Sequence, residues 1–184
     1  MRRGTKNILK NKNDLILNAS KIKNNIADYD LVRKMRASIL VLGPLLARFK
    51  EATISLPGGC AIGTRPIDIH LDSLSKLGVK FQIENGYVRG VVKDELIGAT
   101  INLPFPSVGA TENIIMAASL ARGITLINNA AKEPEIIDLA KALNSMGAKI
   151  SFSGGDCIKV EGVNSLKEAE HTIMFDRIVA GTYI

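Results

Sequence analysis

The amino-acid sequence predicts an α/β fold built from two copies of one unit: a helix, a strand, a second helix and a β-hairpin. Apolar residues recur at helical spacing in residues 71–77 and again in residues 136–146. Leu-Gly-Val-Lys at residues 77–80 and Met-Gly-Ala-Lys at residues 146–149 mark the same place in both copies, 69 residues apart. Neither copy could bury its apolar faces alone, so we expect the two to share one core.

The first copy contains two helices with a strand between them and a closing hairpin. Gly78 is expected to end the second helix, because glycine adopts the left-handed cap conformation at little cost. Asn85-Gly86 is expected to form the hairpin turn, since both turn residues need positive φ. The predicted elements are residues 36–48, 52–56, 68–77, 79–84 and 87–92.

The second copy follows the same order, with Gly147 after its second helix and Gly154-Gly155 in its hairpin turn. Its predicted elements are residues 111–122, 124–128, 135–146, 149–153 and 157–161. Residues 14–18 look like the closing strand of an earlier unit, and residues 178–184 look like the start of a further helix. The expected organisation is therefore a fragment of a longer protein, and the alternative is a small domain with frayed ends.

Composition excludes several classes of protein. Hydrophobic residues make up 46% and charged residues 23% of the 184 residues, which is typical of a globular chain. Two cysteines are too few for a disulfide framework, and neither a secretory signal nor a membrane-length apolar run is readable, so a soluble cytoplasmic protein is expected.

The net charge of +6 favours anionic partners. Basic residues are especially frequent within residues 1–23. We expect this stretch to be a solvated tail rather than an arm that binds a partner. With 4% aromatic residues and no Trp, a nucleic-acid module is not expected.

The strongest candidate site is the connection after the first copy's strand, which is about five residues longer than its counterpart. It reads Leu-Pro-Gly-Gly-Cys-Ala-Ile-Gly-Thr-Arg-Pro over residues 56–66. Cys60 lies among glycines, and Arg65 could lower the pKa of a nearby thiol or hold a phosphate. Pro66 lies where a helix begins, so the N-terminus of that helix would face the loop. The pattern predicts a thiol above an anion pocket; the alternative is that Cys60 is a buried apolar residue.

Other candidates have two interpretations each. His70 is either an acid–base or hydrogen-bond partner of the loop or a helix histidine with its bonds satisfied. Asp68, near the start of a helix, either interacts favourably with the helix dipole or contacts a ligand. Arg36 either binds an anion or is simply exposed to solvent. Ser107 begins the second copy's first helix, where backbone N–H groups could bind phosphate; a plain N-cap at Ser107 or Thr111 is the alternative. Cys157 is expected to be structural, inside a strand.

Four segments together resemble a known family, UDP-N-acetylglucosamine 1-carboxyvinyltransferase. They are Tyr-Asp-Leu-Val-Arg-Lys-Met-Arg-Ala-Ser at 29–38, the loop and helix start at 56–70, Ser-Val-Gly-Ala-Thr at 107–111 and Glu-Pro-Glu-Ile-Ile-Asp at 133–138. The resemblance covers roughly residues 15–184, and the cysteine loop is its most specific part. It implies an enolpyruvyl transferase of the first committed step of peptidoglycan synthesis, and so of cell-wall biogenesis and cell division.

The resemblance also implies an architecture and substrates. The family has two domains of six repeats in all, each domain an inside-out α/β prism with its helices inside. Residues 1–14 would be a basic tail, residues 15–175 about two of the three units of the cysteine-bearing domain, and residues 176–184 the start of the crossing to a second domain. The substrates would be phosphoenolpyruvate and UDP-N-acetylglucosamine. No cofactor, metal, nucleic acid or membrane is implied.

Specific roles follow from the same resemblance. Cys60 would donate a proton to the methylene carbon of phosphoenolpyruvate and could form a covalent adduct with it. Arg65 would contact both substrates, and His70 would lie behind the loop. The remaining residues implied to line the UDP-sugar site are Arg36, Pro66, Ile67, Asp68, Ile69, Ser107, Val108 and Gly109.

The sequence departs from the family pattern in ways that bear on activity. The family's Lys-Asn pair near the N-terminus has no counterpart, and its catalytic base comes from the other domain. Phe105 stands in place of a lysine, Leu40 in place of a Trp and Val179 in place of a Glu. We therefore expect no turnover by this chain alone unless a second chain supplies the missing parts. The alternatives are a UDP-sugar-binding module without catalysis and a nonfunctional remnant of a split gene.

Overall fold

The structure is a computed structural model that describes residues 6–9, 14–20, 22, 25–27, 29–32, 36–56 and 67–183. For residues 6–9, 30, 31 and 36 it describes the backbone alone.

The first unit contains four strands and a set of helices that connect them. Two strands precede it, β1 (Lys6–Leu9) and β2 (Leu15–Asn18). In order, the unit comprises β3 (Ile26–Ala27), α1 (Tyr29–Val32), a 3-10 helix (Arg36–Val41), α2 (Leu42–Phe49), β4 (Glu51–Ser55), α3 (Asp68–Lys76), β5 (Val79–Glu84) and β6 (Tyr87–Val92).

The second unit repeats this plan with one helix before its second strand. It comprises β7 (Thr100–Asn102), α4 (Val108–Ala118), β8 (Ile124–Asn128), α5 (Pro134–Ser145), β9 (Lys149–Phe152) and β10 (Ile158–Glu161). A short helix, α6 (Arg177–Thr182), follows after a stretch without regular structure.

The two sheets have the same topology. Their strand orders are β3-β4-β6-β5 and β7-β8-β10-β9. In each, the first pair is parallel and the other two pairs are antiparallel. The repeat predicted from the sequence is therefore confirmed, and each unit also begins with a strand of two or three residues that the sequence did not predict. Strands this short carry no readable alternation of apolar and polar residues.

The helices lie inside and the sheets lie outside. Helix α4 contacts α2, α3 and α5, so it forms the centre of the shared core. Leu46, Leu74, Ile114 and Ile136, one from each of these four helices, are fully buried. On the hairpins, Ile83 and Phe152 are 58% and 50% exposed. This arrangement confirms the expected α/β fold with internal helices.

Helices α2 and α4 approach each other closely at Gly43. A Cβ atom built on Gly43 would lie 2.5 Å from the backbone oxygen of Asn113 and 2.8 Å from its side-chain Oδ1. A glycine is therefore required at this crossing, because any side chain would push the two helices apart.

The predicted turns and helix ends hold in detail. Asn85 and Gly86 have φ angles of 50° and 78°, as the hairpin turn requires. Gly78 and Gly147 follow α3 and α5 with φ angles of 99° and 97°. Helix α4 begins at Val108 rather than at residue 111, because Ser107 caps it.

Part of the expected basic tail is instead a strand. The backbone of β1 pairs antiparallel with β2, from Lys6 opposite Asn18 to Leu9 opposite Leu15. Residues 6–9 read Lys-Asn-Ile-Leu, so an apolar pair directly follows the basic residues and favours strand pairing over a solvated tail. The strand predicted at residues 14–18 is thus paired.

In the described part of the chain, no helix has both the length and the apolar character needed to cross a membrane.

Candidate substrate site at the start of two helices

Helices α3 and α4 pack against each other and form the scaffold of the candidate site. The connection that leads into α3 contains Cys60, Arg65 and Pro66, and residues 57–66 lie outside the described part of the chain. The structure therefore does not place these three predicted residues. It does place the two ends of the connection, Leu56 after β4 and Ile67 before α3.

The first turn of α3 is held by Ile67, which is 8% exposed. The carbonyl oxygen of Ile67 accepts hydrogen bonds from the backbone N–H groups of His70 at 2.9 Å and Leu71 at 3.2 Å. Asp68 is the first residue of the helix and is exposed. A carboxylate there is stabilised by the helix dipole, so its position is explained without a ligand and also leaves it accessible to one. Ile69 is partly buried against the core.

The first turn of α4 is held by Ser107. Its side-chain oxygen accepts a hydrogen bond of 3.4 Å from the N–H of Ala110, which confirms Ser107 as the N-cap. The carbonyl oxygen of Ser107 accepts from the N–H of Thr111 at 3.0 Å and from the Thr111 hydroxyl at 2.8 Å. The N–H of Ala131, which precedes α5, donates to the Thr111 hydroxyl at 3.1 Å. The connection before α5 thus braces the start of α4.

The two helix starts meet through His70 and Gly109. A Cβ atom built on Gly109 would lie 3.2 Å from Cε1 and 3.5 Å from Nε2 of His70. The same atom would lie 3.8 Å from Cδ2 of Leu40, which belongs to the 3-10 helix before α2. Gly109 therefore allows the imidazole ring to rest against the first turn of α4. The backbone N–H groups of a first helical turn have no hydrogen-bond partner within the helix itself.

His70 is a buried residue, 8% exposed, and its Nδ1 atom lies 2.9 Å from Nδ2 of Asn113. Asn113 is fully buried in α4. Its Oδ1 accepts from the N–H of Gly43 at 2.8 Å, and its Nδ2 donates to the carbonyl oxygen of Ile39 at 3.0 Å. Three segments of the first unit are thereby joined to one side chain of the second.

The other predicted residues lie at varied places. Arg36 begins the 3-10 helix, and its side chain is outside the described part of the structure. Val108 is partly buried at the first position of α4. Phe105 is 55% exposed, two residues before Ser107. Cys157 directly precedes β10 instead of lying inside it, and it is partly buried.

A shallow cavity opens beside the start of α4. Its volume is about 460 Å³, and one wall is Pro106, the residue before Ser107. The connection before α5 supplies Lys132 and Glu133, and Asp156 completes the lining. Lys132 is a cation near the site that sequence reasoning did not single out, because it lies in the shorter of the two connections.

Carboxylates further along α4 and α5 influence each other. Burial raises the pKa of Glu112, and the neighbouring charge of Glu135 raises it further. The pKa of Glu135 is lowered, first by its hydrogen bond from Arg177. In the described residues, no three His, Cys, Asp or Glu side chains are grouped as a metal site would require.

Asn113 is the site residue that the sequence analysis missed. The only available signal was one amide directly before the apolar run from residue 114 to residue 118, on a helix whose faces are nearly all buried. A buried asparagine needs partners for all its polar atoms, and its partners lie 43, 70 and 74 residues away in the chain.

A family model matches nearly the whole chain. The model for EPSP synthase (3-phosphoshikimate 1-carboxyvinyltransferase) matches residues 3–184. The chain therefore belongs to the EPSP synthase family of carboxyvinyltransferases.

Within this family, the chain is most informatively compared with curated relatives of one name. It is 55% identical over 175 residues to UDP-N-acetylglucosamine 1-carboxyvinyltransferase 1 of Staphylococcus aureus (strain N315), over 95% of this chain and 42% of that protein. It is 60% identical over 162 residues to UDP-N-acetylglucosamine 1-carboxyvinyltransferase of Granulibacter bethesdensis, over 88% of this chain and 39% of that protein. The chain thus spans about two fifths of the length of these relatives.

Solved structures support the fold alone. The enolpyruvyl transferase NikO from Streptomyces tendae superposes with a TM-score of 0.72 at 22% identity, over 83% of this chain and 36% of that one. EPSP synthase from Acinetobacter baumannii superposes with a TM-score of 0.64 at 16% identity, over 89% of this chain and 38% of that one.

Proposed function

We propose that this chain forms the cysteine-bearing part of an enzyme that transfers the enolpyruvyl group of phosphoenolpyruvate to the 3-hydroxyl of UDP-N-acetylglucosamine. The observation that carries the proposal is the 55% identity to a UDP-N-acetylglucosamine 1-carboxyvinyltransferase over 95% of this chain. The Pro-Gly-Gly-Cys loop and the starts of α3 and α4 are proposed to supply the residues that such a reaction needs.

The reaction is an addition followed by an elimination. The sugar hydroxyl oxygen adds to C2 of phosphoenolpyruvate while a proton is delivered to the methylene carbon C3. Loss of a proton from C3 and of inorganic phosphate from C2 then restores the double bond in the product. The protein must therefore supply an acid next to C3 and positive charge around the phosphates.

Each requirement has a candidate in this chain. Cys60 is proposed as the acid, on a loop whose glycines allow it to close over the substrates and exclude water. Arg65 is proposed to bind the phosphate of phosphoenolpyruvate and the sugar nucleotide. The first turns of α3 and α4 are proposed to receive the nucleotide, along residues Ile67 to Ile69 and Ser107 to Gly109.

We propose that turnover requires residues beyond this chain, because it spans 42% of the relative's length. On this view residues 15–175 form part of one prism domain, and residues 176–184 lead toward the rest of the enzyme. A cytoplasmic location is proposed as well, since both substrates are intracellular metabolites. The chain by itself is expected to bind UDP-N-acetylglucosamine and to react with phosphoenolpyruvate at its thiol without releasing phosphate.

Mass spectrometry of the intact chain tests the proposal. Incubation with phosphoenolpyruvate and UDP-N-acetylglucosamine should add the whole mass of phosphoenolpyruvate, because sulfur adds to C2, the thiol proton goes to C3 and nothing leaves. The adduct should be absent in Cys60→Ser and present in Cys157→Ser, the matched control at the chain's other cysteine. No adduct in the unaltered chain, or an adduct that survives Cys60→Ser, would contradict the assignment. UDP-sugar binding without any adduct would favour a binding module.

A further inference from the structure

The 3-10 helix Arg36–Val41 runs directly into α2, Leu42–Phe49, so the winding of the chain changes where the two helices meet. In a continuous α-helix, each N–H donates to the carbonyl oxygen four residues earlier. Pro44 has no N–H group, so the carbonyl oxygen of Leu40 lacks its α-helical donor at this joint. The joint is therefore a weak point in the backbone hydrogen-bond ladder.

The side-chain amide of Asn113, on α4, bridges the neighbouring pair of backbone groups at this joint. In a continuous α-helix the N–H of Gly43 would donate to the carbonyl oxygen of Ile39. Here Oδ1 of Asn113 accepts from the N–H of Gly43 at 2.8 Å, and its Nδ2 donates to the carbonyl oxygen of Ile39 at 3.0 Å. One amide thus presents an acceptor to the donor and a donor to the acceptor. Insertion of a side chain into the ladder is one of the causes of a sharp change in a helix.

The joint has room for this amide and for little else. Asn113 is fully buried, and burying an amide is costly unless its hydrogen bonds are made. Its Nδ2 also lies 2.9 Å from Nδ1 of His70, on α3. A Cβ atom built on Gly43 would lie 2.8 Å from Oδ1 of Asn113. The first unit therefore provides a glycine next to a proline at the place where an amide of the second unit enters its helix.

The joint bears on the candidate site because the 3-10 helix lies against the start of α4. A Cβ atom built on Gly109, in the first turn of α4, would lie 3.8 Å from Cδ2 of Leu40. Arg36 is the first residue of the 3-10 helix, and it is one of the residues that the family resemblance implies for the UDP-sugar site. The position of its backbone depends on how the helix that follows it is wound.

The two ways of winding residues 36–41 place Arg36 differently. A 3-10 helix rises about 2.0 Å per residue and an α-helix about 1.5 Å, so these six residues differ in length by about 3 Å. The rotation per residue differs by about 20°, which amounts over six residues to about a third of a turn around the helix axis. A binding residue displaced by this much would lose its contact with the ligand.

We propose that Asn113 is a positioning residue for the sugar-nucleotide site: its amide keeps residues 36–41 in the 3-10 conformation and so fixes where Arg36 lies relative to the start of α4. The inference rests on the proposed function of this site. The ligand group concerned is an anion, since an arginine binds phosphate through charge-assisted hydrogen bonds. Without the amide, the N–H of Gly43 can donate directly to the carbonyl oxygen of Ile39, and the winding of α2 extends toward Arg36. Asn113 is buried and acts through Arg36, not by contact with the ligand.

Proton NMR of the full 184-residue chain tests the winding directly. In a 3-10 helix the Hα of residue i lies near the N–H of residue i+2, whereas in an α-helix it lies near the N–H of residue i+4. We expect contacts of the first kind within residues 36–41 of the unaltered chain, and a Gly43 N–H that exchanges slowly with solvent. An α-helical pattern there, or a rapidly exchanging Gly43 N–H, would overturn the proposal.

Asn113→Ala should convert the pattern. With the amide removed, a contact between the Hα of Ile39 and the N–H of Gly43 should appear. The matched control is Asn144→Ala, since Asn144 makes the same kind of paired contact, with the N–H and carbonyl oxygen of Ile150 in β9. The 3-10 pattern should persist in that control. An unchanged pattern in folded Asn113→Ala would overturn the proposal.

His70→Leu separates the contacts of Asn113 from one another. It removes the imidazole and leaves the amide between Gly43 and Ile39, so residues 36–41 should remain a 3-10 helix. Conversion to an α-helix in this variant would mean that His70 controls the winding, which would overturn the proposal. This measurement and those on the unaltered chain decide the question even where Asn113→Ala does not fold.

Calorimetric titration with UDP-N-acetylglucosamine provides the functional readout. Asn113→Ala should weaken binding about tenfold and Asn144→Ala less than about twofold. Equal weakening in both variants would mean that Asn113 acts through stability alone and would overturn the positioning role.

A double-mutant cycle with Arg36 distinguishes positioning from a general structural effect. Arg36→Ala alone should weaken binding about as much as Asn113→Ala, and combining the two changes should weaken it little further. Losses that multiply in the double variant would show that Asn113 does not act through Arg36 and would overturn the proposal. Failure of the unaltered chain to bind, with the expected NMR contacts present, would instead overturn the proposed function.

Discussion

The two repeat units share a topology and differ in what they place at one helix position. His70 lies seven residues before Leu77, and Leu139 lies seven residues before Met146, so the two residues are equivalent by the repeat. In the first unit this position holds an imidazole bonded to Asn113, while in the second it holds a partly buried apolar side chain. The connection leading to the helix is also longer in the first unit, by about five residues.

The comparison separates what the scaffold needs from what chemistry needs. The second unit shows that a short connection and a leucine are sufficient for the same β-α-β-α-β-β order. The cysteine loop and the histidine of the first unit are therefore not required by the topology. Both features belong to the start of α3 or to the connection before it, and features that a scaffold does not need indicate where a substrate site is expected.

The largest effect is expected where the two units meet, at Gly43. In Gly43→Ala the added Cβ would lie 2.5 Å from the backbone oxygen of Asn113, which cannot move without shifting α4. The free energy of unfolding should fall by about 3 kcal/mol. Urea denaturation measures it.

Gly181→Ala is the control for this change. Gly181 is also a helical glycine, in α6, and a Cβ built there meets no atom within 4 Å. Its stability should be unchanged or slightly higher, since alanine favours helix. A Gly43→Ala chain as stable as Gly181→Ala would mean that the units are not in close contact at this crossing.

An intermediate effect is expected from making the first unit resemble the second. His70→Leu removes the acceptor of one Asn113 N–H, and the buried donor left behind should lower stability by about 1 kcal/mol after the gain of apolar contact. UDP-N-acetylglucosamine should bind about tenfold more weakly by calorimetry. Leu139→Met, a volume-conserving change at the equivalent position, should leave the affinity unaltered. Unchanged affinity in His70→Leu would remove this residue from the site.

The smallest effect is expected from the ion pair between Glu135 of α5 and Arg177 of α6. Arg177 Nη2 lies 2.9 Å from Glu135 Oε1, and the hydrogen bond from Arg177 is the main cause of the lowered pKa of Glu135. Because the folded-state pKa is lowered, the pair stabilises the chain above the ordinary glutamate pKa. That stabilisation is lost as the pH falls through the folded-state value.

Glu135→Gln should therefore lower the melting midpoint by about 1 °C near pH 7, since both side chains are partly exposed. The difference from the unaltered chain should be complete above the ordinary glutamate pKa of about 4.3 and should shrink as the pH falls below it. Calorimetric melting curves at several pH values check this. A difference that grows in acid would show that another interaction of Glu135 dominates.

Local signals in the sequence predicted most of the fold. The hairpin at Asn85-Gly86 and the helix ends at Gly78 and Gly147 were predicted correctly, because each depends on a positive φ angle that glycine or asparagine supplies. Short strands such as β3 and β7 were missed, since two or three residues show no periodicity and pairing partners decide their conformation. The start of α4 was misplaced by three residues because Ser107 and Thr111 are both acceptable caps.

The candidate site was less predictable than the fold. Sequence reasoning selected Ser107 and His70 from local chemistry, and the structure brings the helix starts that contain them together. Asn113 was not selected, because its role depends on Ile39, Gly43 and His70, which approach it only in the folded chain. The roles of Cys60 and Arg65 remain predictions from the sequence and the family resemblance.

The junction at Asn113 has a consequence for how ligand binding and folding are coupled. Its three partners belong to the first unit, and Asn113 itself belongs to the second. A nucleotide sugar that rests on the first turns of α3 and α4 would therefore meet a complete recognition surface only in molecules whose two halves have already assembled. Occupancy would then protect the whole chain against unfolding, in proportion to the logarithm of ligand concentration above Kd, and not the first half alone.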